Sequence, residues 1–232
     1  MASRHLARAA HAPADYERVY EEVLEAATQP VILHWLGEAF DPVLRGYFGE
    51  AATVLRIIQA AGDKVAGIKM SLLDAEAEIA LRSQLPAGVR MFTGDDFNYV
   101  GLIEGDAAGE GAVHSDALLG AFAALAPSAS AAIQALDDGD TARYRDILGP
   151  TEQLSRQIFA APTYYYKTGV AFLSWLNGHQ DAFSMVGGLH AARSLPHLSE
   201  IVRLAGASGA LERPDLAAQR WSDLLRLNGV DA

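Results

Sequence analysis

The sequence predicts an α/β protein: strands of a parallel sheet in the first half, and helices in the second. Short apolar runs typical of buried strands alternate with helical spacing as far as residue 121, and from Ser128 onward the pattern is almost wholly helical. Alternation at this spacing is typical of βα units, which form parallel sheets. No GxGxxG sequence follows the first predicted strand, which argues against a dinucleotide-binding sheet.

The predicted strands occupy residues 31–36, 65–70, 89–93 and 117–121, and helices are predicted around 15–27, 53–61, 76–84 and 97–104. Asp15 is expected to cap the first of these helices. The preceding stretch, MASRHLARAAHAPA, contains Arg, Ser and Ala without any acid, as transit peptides do. It is short and rich in histidine, so a loop is the favoured interpretation.

Composition narrows the class of protein. The chain has 232 residues, a net charge of −11 and no cysteine. An acidic balance argues against nucleic acid or an anionic membrane as partner, and the lack of thiols excludes disulfides and zinc–sulfur sites. No apolar run is long enough to span a bilayer. We therefore expect a soluble cytoplasmic protein.

One lysine lies within an apolar run, VAGIKMS at Val65–Ser71. Because side chains alternate along a strand, Gly67 and Lys69 share one face while Ile68 and Met70 share the other. In the preceding strand His34 has the same relation to Leu33 and Trp35. Lysine and histidine can therefore point to the same side of the sheet. Both lie near the C-terminal ends of their strands, where barrels place functional residues.

VAGIKMS followed by VRMFTGDD (residues 89–96) resembles the dihydrodipicolinate synthase and N-acetylneuraminate lyase superfamily. The segments QPVILHW, PTYYYKTGVAFLSWLNG and ARSLPHLSEIVRLA continue the resemblance in the same order, most closely to a branch whose reaction is unassigned. These proteins are (β/α)8 barrels that form a Schiff base on a lysine of the sixth strand. The match implies that Lys69 is this nucleophile and that Thr93-Gly94-Asp95-Asp96 ends the seventh strand.

The resemblance implies that the chain is the C-terminal part of a (β/α)8 barrel. About strands 5–8 would lie in residues 1–128, and a helical C-terminal region in residues 129–232. The first strands, with the Gly-Thr-Thr turn that holds the substrate carboxylate, have no counterpart, so the chain is expected to be N-terminally truncated. The tyrosine of the fifth strand is replaced by His34, which can also carry out acid–base work.

The site implied by the resemblance has Lys69 and His34 as catalytic residues and Gly94, Asp95 and Gly120 as substrate-binding residues. A 2-oxo acid such as pyruvate is the expected substrate, without cofactor or metal, in a homo-oligomer. Each residue also has a structural interpretation. Lys69 could be a lysine whose amine reaches solvent at a strand end, and His34 a packed core histidine. Carboxylates such as Asp95 more often cap the next helix, and the role of Asp96 is open.

Three functions follow as hypotheses. The first is a Schiff-base lyase or aldolase in which Lys69 attacks the keto group. The second is a non-catalytic truncated barrel that self-associates through its open sheet edges. The third is a metal-dependent lyase using His34, Asp95 and Asp96, which is weakened because the seven histidines show no HxxxH or HxH spacing.

Overall fold

A computed structural model describes residues 2–105 and 113–230 of the chain. The polypeptide divides into two compact units, Met1–Leu119 and Gly120–Ala232. Each unit is described by itself below.

The first unit contains a four-stranded parallel sheet, as the alternation of strands and helices predicts. Its strands are β1 (Val31–Leu36), β2 (Val65–Ser71), β3 (Arg90–Thr93) and β4 (Asp116–Ala117). They lie in the order β1-β2-β3-β4, so each strand pairs with the next one along the chain. All carboxyl ends therefore meet at one edge of the sheet.

The helices of this unit are α1 (Arg4–Ala9), α2 (Pro13–Ala26), α3 (Ala51–Ala61), α4 (Ala75–Arg82) and α5 (Tyr99–Glu104). The expected N-terminal loop is wrong in part, because α1 takes up six of its fourteen residues and α2 begins at Pro13. Ser3 caps α1 by accepting from the backbone N–H of Leu6, whose side chain packs against the core. Asp15 lies inside α2 and is not its N-cap. Its carboxylate instead accepts the backbone N–H groups of His11 and Ala12 before the helix.

The fourth strand is shorter than predicted. Residues 117–121 were expected to be extended, but β4 ends at Ala117, and a 3-10 turn follows at Ala121–Ala123. The reason lies in the neighbouring strand. β3 ends at Thr93, which is the register partner of Ala117, and its carbonyl accepts one further bond from the N–H of Leu118. Beyond that point β3 offers no partner that would hold the chain extended.

Alternation along the strands separates two faces, as predicted. Leu33, Trp35, Ile68, Met70 and Met91 are buried in one hydrophobic cluster with side chains of the surrounding helices. Each such side chain contributes on the order of 1.5–3 kcal/mol of burial free energy. The opposite side, here called the open face, carries Ile32, His34, Lys69 and Phe92. Ile32 is 43% exposed and the other three are half-buried.

The second unit is helical, as the spacing after Ser128 predicts. Its helices are α6 (Ala126–Asp137), α7 (Thr141–Leu148), α8 (Thr151–Ile158), α9 (Tyr166–Leu176), α10 (Leu195–Ala207) and α11 (Pro214–Leu227). Apolar residues at helical spacing, such as Phe172 and Leu176 of α9 and Ile201 of α10, are fully buried. Within the described ranges, no helix combines the length and the apolar character needed to cross a membrane.

Candidate functional site

The polar side chains of the candidate site lie on the open face, near the carboxyl ends of β1, β2 and β3. His34 of β1 is the register partner of Lys69 of β2, which in turn pairs with Phe92 of β3. Neighbouring strands of a sheet lie about 4.7–4.9 Å apart in the hydrogen-bonding direction. The sheet register therefore brings the two predicted catalytic residues together.

Lys69 is half-buried on β2, one of the two inner strands. Burial lowers the pKa of its amine, because removal from water disfavours the charged form, and the negative charge of Asp96 acts in the opposite direction. Neutral amine is therefore more available than on an exposed lysine. A neutral amine is the form that adds to a carbonyl group.

His34 is held neutral next to this amine. Burial, and then the positive charge of Lys69, lower the pKa of His34 to about 4. At pH 7 the imidazole therefore has one nitrogen that donates and one that accepts. Its Nε2 atom lies 3.0 Å from Oγ of Ser71, within hydrogen-bond distance.

Ser71 is a member of the site that sequence reasoning missed. It ends β2, two residues after Lys69, and its side chain is buried. The alternation that placed Lys69 on the open face also places Ser71 there, so the strand pattern contained the signal. Ser71 is set opposite Leu36 by the register, and it reaches His34 diagonally across the two strands.

Gly94 makes room for these groups. A Cβ atom at this position would collide with Oγ of Ser71, and it would lie 2.7 Å from Cε of Lys69 and 2.8 Å from the carbonyl oxygen of Met70. The glycine backbone is drawn in by a hydrogen bond from its own N–H to the same Met70 carbonyl. Glycine is therefore required at residue 94 by the close approach of the turn to β2.

The two aspartates after Gly94 have different surroundings. The carboxylate of Asp95 is buried and accepts from the backbone N–H groups of Phe97 and Asn98 and from the side-chain amide of Asn98. Asp95 therefore orders the turn, but it is not the cap of the next helix, because the N-cap of α5 is Asn98. Asp96 is also buried, and its charge acts on Lys69.

A second buried polar group lies behind the turn. Glu78 of α4 is 1% exposed, and its carboxylate accepts from the hydroxyls of Thr93 (3.1 Å) and Ser115 (2.7 Å). Arg82, one helical turn later, donates to Ser115 and to the carbonyl of Leu102. No sequence pattern predicts this network, because Glu78 and Arg82 have the spacing of ordinary polar residues on an amphipathic helix.

Gly120, the third predicted substrate-binding residue, begins the second unit. A Cβ atom there would lie 3.0 Å from the ring of Phe159. The expected role of Gly120 in binding substrate stays a prediction. As for metals, the described residues contain no group of three or more His, Asp or Glu side chains able to hold an ion. The metal-dependent hypothesis therefore gains no support from the described part of the chain.

Comparison with known proteins gives the family. The family model for DUF993, described as a protein of unknown function, matches residues 1–230. The chain belongs to the DUF993 family. None of the curated proteins compared with it matches.

In this DUF993 chain, the open face combines a half-buried amine of lowered pKa, a neutral imidazole and a buried hydroxyl. The amine can act as a nucleophile, and the imidazole–hydroxyl pair can take up or deliver a proton next to it. Such a combination suits covalent chemistry on a carbonyl group.

Proposed function

We propose that the protein is a Schiff-base lyase or aldolase that acts on a 2-oxo acid of the pyruvate type. The observation that carries the proposal is the half-buried amine of Lys69, whose pKa is lowered and whose register partner is the neutral His34. The resemblance of VAGIKMS and TGDD to the dihydrodipicolinate synthase superfamily supports the same role. Family membership neither adds to nor opposes it, because DUF993 has no assigned function.

The first half of the reaction is carbonyl addition by Lys69. Its neutral amine attacks the keto carbon, the carbonyl oxygen takes up a proton, and loss of water leaves an iminium ion. Starting from the ammonium form, a ketone and a protonated amine give an iminium and one water. The iminium then accepts the electron pair released when a bond to the neighbouring carbon breaks.

His34 and Ser71 supply the proton transfers in this proposal. Their 3.0 Å contact lets the hydroxyl donate to Nε2 of the neutral imidazole, and a proton can pass along the pair to or from the substrate. Gly94 contributes by leaving space beside Lys69. Asp95 shapes the turn that carries Asp96.

We also propose that the four-stranded sheet is part of a (β/α)8 barrel. Doubly wound sheets reverse their strand order at a switch point, whereas β1 to β4 run in simple sequence order. The open face would then be the barrel interior, and His34 and Lys69 would point into it near the carboxyl ends of the strands, where barrel enzymes carry their active sites.

Reductive trapping tests the proposal. The chain contains three lysines, Lys64, Lys69 and Lys167. Incubation with pyruvate and other short 2-oxo acids, followed by borohydride and peptide mass spectrometry, should give one adduct, located on Lys69. The Lys69→Arg variant should lose it, while Lys64→Arg and Lys167→Arg should keep it.

Lys64 is a suitable control because its amine is already engaged, donating to the carbonyl of Ala27 at 2.6 Å. Adducts confined to Lys64 or Lys167, or no adduct with any 2-oxo acid of the series, would refute the proposed function.

A further inference from the structure

Four buried polar side chains connect helix α4 to the ends of β3 and β4. Glu78 and Arg82 lie on α4, Thr93 ends β3, and Ser115 precedes β4; all four are 7% exposed or less. Both oxygens of the Glu78 carboxylate are used, one by each hydroxyl. Buried polar groups are costly unless they are paired, so this network holds the three elements in one arrangement.

The network continues from Glu78 into the turn of the candidate site. Oγ1 of Thr93 donates to Glu78 and also accepts from the backbone N–H of Asp95, at 3.2 Å. The Asp95 carboxylate in turn binds the N–H groups of Phe97 and Asn98. Asp96 lies between these fixed points, and its charge is the one that acts on the Lys69 amine.

We propose that Glu78 is a positioning residue that sets the place of Asp96 relative to Lys69, acting through the hydroxyl of Thr93. The inference rests on the proposed function for its importance to catalysis, because Lys69 is the nucleophile there. In physical terms, the ionised Glu78 carboxylate orders the turn from Thr93 to Asn98. That turn holds the negative charge of Asp96 near the Lys69 amine.

The hydrogen bonds favour the ionised form for this task. An ionised carboxylate accepts from both hydroxyls. A protonated one donates from one oxygen, so one of the two hydroxyls would have to accept instead and direct its own hydrogen elsewhere. The charged groups that influence Glu78 are Arg82 on its own helix and Asp95 from the turn; β3 and the segment before β4 present the uncharged hydroxyls of Thr93 and Ser115.

Burial is the largest influence on Glu78 and, with a smaller effect of the Asp95 charge, raises its pKa to about 7. The hydrogen bonds from Ser115 and Thr93 and the positive charge of Arg82 lower the pKa and so limit the rise. Glu78 therefore gains or loses its proton near neutral pH. The ordering of the turn, and with it the attraction between Asp96 and Lys69, should change over the same range.

Competitive labelling of the full-length chain with acetic anhydride, read by mass spectrometry from pH 5 to 10, measures the titration of each lysine separately. In the wild type, the labelling of Lys69 should show a second inflection near neutral pH. Glu78→Gln should remove that inflection. Above neutral pH, where the wild-type Glu78 is ionised, it should also increase labelling of Lys69 by about threefold, since a weaker hold on Asp96 lowers the pKa of the amine. Lys64 and Lys167 should not change.

Matched variants distinguish an effect of Glu78 through the position of the turn from a direct effect of its charge on Lys69. Glu76→Gln removes an exposed carboxylate from the same helix and should leave Lys69 unchanged. Thr93→Val keeps the Glu78 carboxyl but breaks the connection, so well above neutral pH, where that carboxyl is ionised, it should reproduce the effect of Glu78→Gln. Thr93→Ser should restore the wild-type titration.

An unchanged Lys69 titration in Glu78→Gln overturns the inference. A shift in Glu78→Gln without one in Thr93→Val also overturns it, because Glu78 would then act through its charge alone. Since labelling needs no substrate, a failed borohydride trap refutes the proposed function without deciding this result.

Discussion

Burial acts on Lys69 and His34 in the same chemical direction, since it disfavours the protonated form of each base. A neighbouring charge also acts on each of them. The positive charge of Lys69 lowers the pKa of His34 further, and the negative charge of Asp96 opposes the effect of burial on the pKa of Lys69. The neutral form of each base is therefore favoured relative to the same group exposed to water. Groups perturbed in this way by burial and a specific charge mark candidate functional sites.

Strand alternation is enough to predict that Lys69 and His34 share one face. It did not reveal the partner of His34. The contact with Ser71 runs diagonally between strands, and the pairing shifts register between Val31 and Ile32. The alternation in one sequence does not fix the register between two strands, so a diagonal contact cannot be read from it.

The first prediction concerns the titration of His34. Its imidazole should titrate at about pH 4 in the folded protein, against an ordinary pKa of 6.5. In Lys69→Met the value should rise, because the neighbouring charge is gone, but it should stay below 6.5, because burial remains. Two-dimensional NMR of the ring protons measures this, with His34→Phe assigning the signal among seven histidines.

The same shift affects stability and turnover. Between pH 6.5 and 4 the unfolded chain binds a proton that the folded His34 does not, so this residue lowers the free energy of unfolding as pH falls. His34→Phe should remove that contribution. It should also slow borohydride trapping by on the order of a hundredfold, if His34 transfers protons. A His34 signal titrating near 6.5, or unaltered trapping in His34→Phe, would contradict the assigned role.

The second prediction compares two glycines. Gly94→Ala should lower the free energy of unfolding by about 1–3 kcal/mol, because its Cβ meets Met70 backbone and the side chains of Lys69 and Ser71. Gly101→Ala is the control: it lies in α5 with no atom within 4 Å of the added Cβ, and it should stabilise by about 0.5–1 kcal/mol. Urea unfolding measures both, and equal effects would show that residue 94 has space to spare.

At the scale of elements, the sequence predicted three strands within a residue or two of their observed ends and missed the length of the fourth. β1 and β2 are mainly apolar runs, and Pro30, Gly37 and Gly62 lie close to their ends. Proline and glycine interrupt regular structure, so the limits of these two strands can be predicted from the sequence. β4 ends where its neighbour ends, and that limit is set by β3. Helix α1 was missed because its stability comes from packing of Leu6 on the core.

The third prediction concerns the connection of α4 to the sheet through Glu78. The pKa of this carboxyl rises from 4.5 to about 7 on folding, so the folded chain binds a proton more tightly than the unfolded chain between these values. The contribution of Glu78 to stability is therefore present below pH 4.5 and is lost as pH rises through 7.

Urea unfolding at pH 5 and pH 8 should show this loss in the wild type, on the order of a few kcal/mol. Glu78→Gln should show a smaller decline over the same range, and the exposed Glu76→Gln should behave like the wild type. An identical decline in Glu78→Gln would place the effect in other groups.

At the scale of the molecule, the order of strands follows from the alternation of strands and helices, but closure of a barrel does not. Closure requires that the first and last strands find partners, which is a property of the whole sheet. In the described sheet, β1 pairs only with β2, and β4 only with β3. The sheet is thus open at both edges, and its barrel character stays a proposal.

The last prediction is that this chain associates with itself. An outer strand with unpaired backbone N–H and C=O groups is a template for another strand unless charge, proline or a bulge protects it. β1, VILHWL, contains no proline and no Lys, Arg, Asp or Glu, and its register shift is confined to its first two residues, Val31 and Ile32. The apolar side chains of Ile32 and Leu118 are each 43% exposed. We therefore expect static light scattering to give a dimer or larger species at micromolar concentration.

Ile32→Lys adds a protecting charge and should shift the mass toward that of one chain. Ile79→Lys changes an isoleucine of α4 that is 46% exposed, and it should not shift the mass. A monomeric wild-type chain across the concentration range would show that these edges are protected in solution, and association unaffected by Ile32→Lys would place the contact elsewhere.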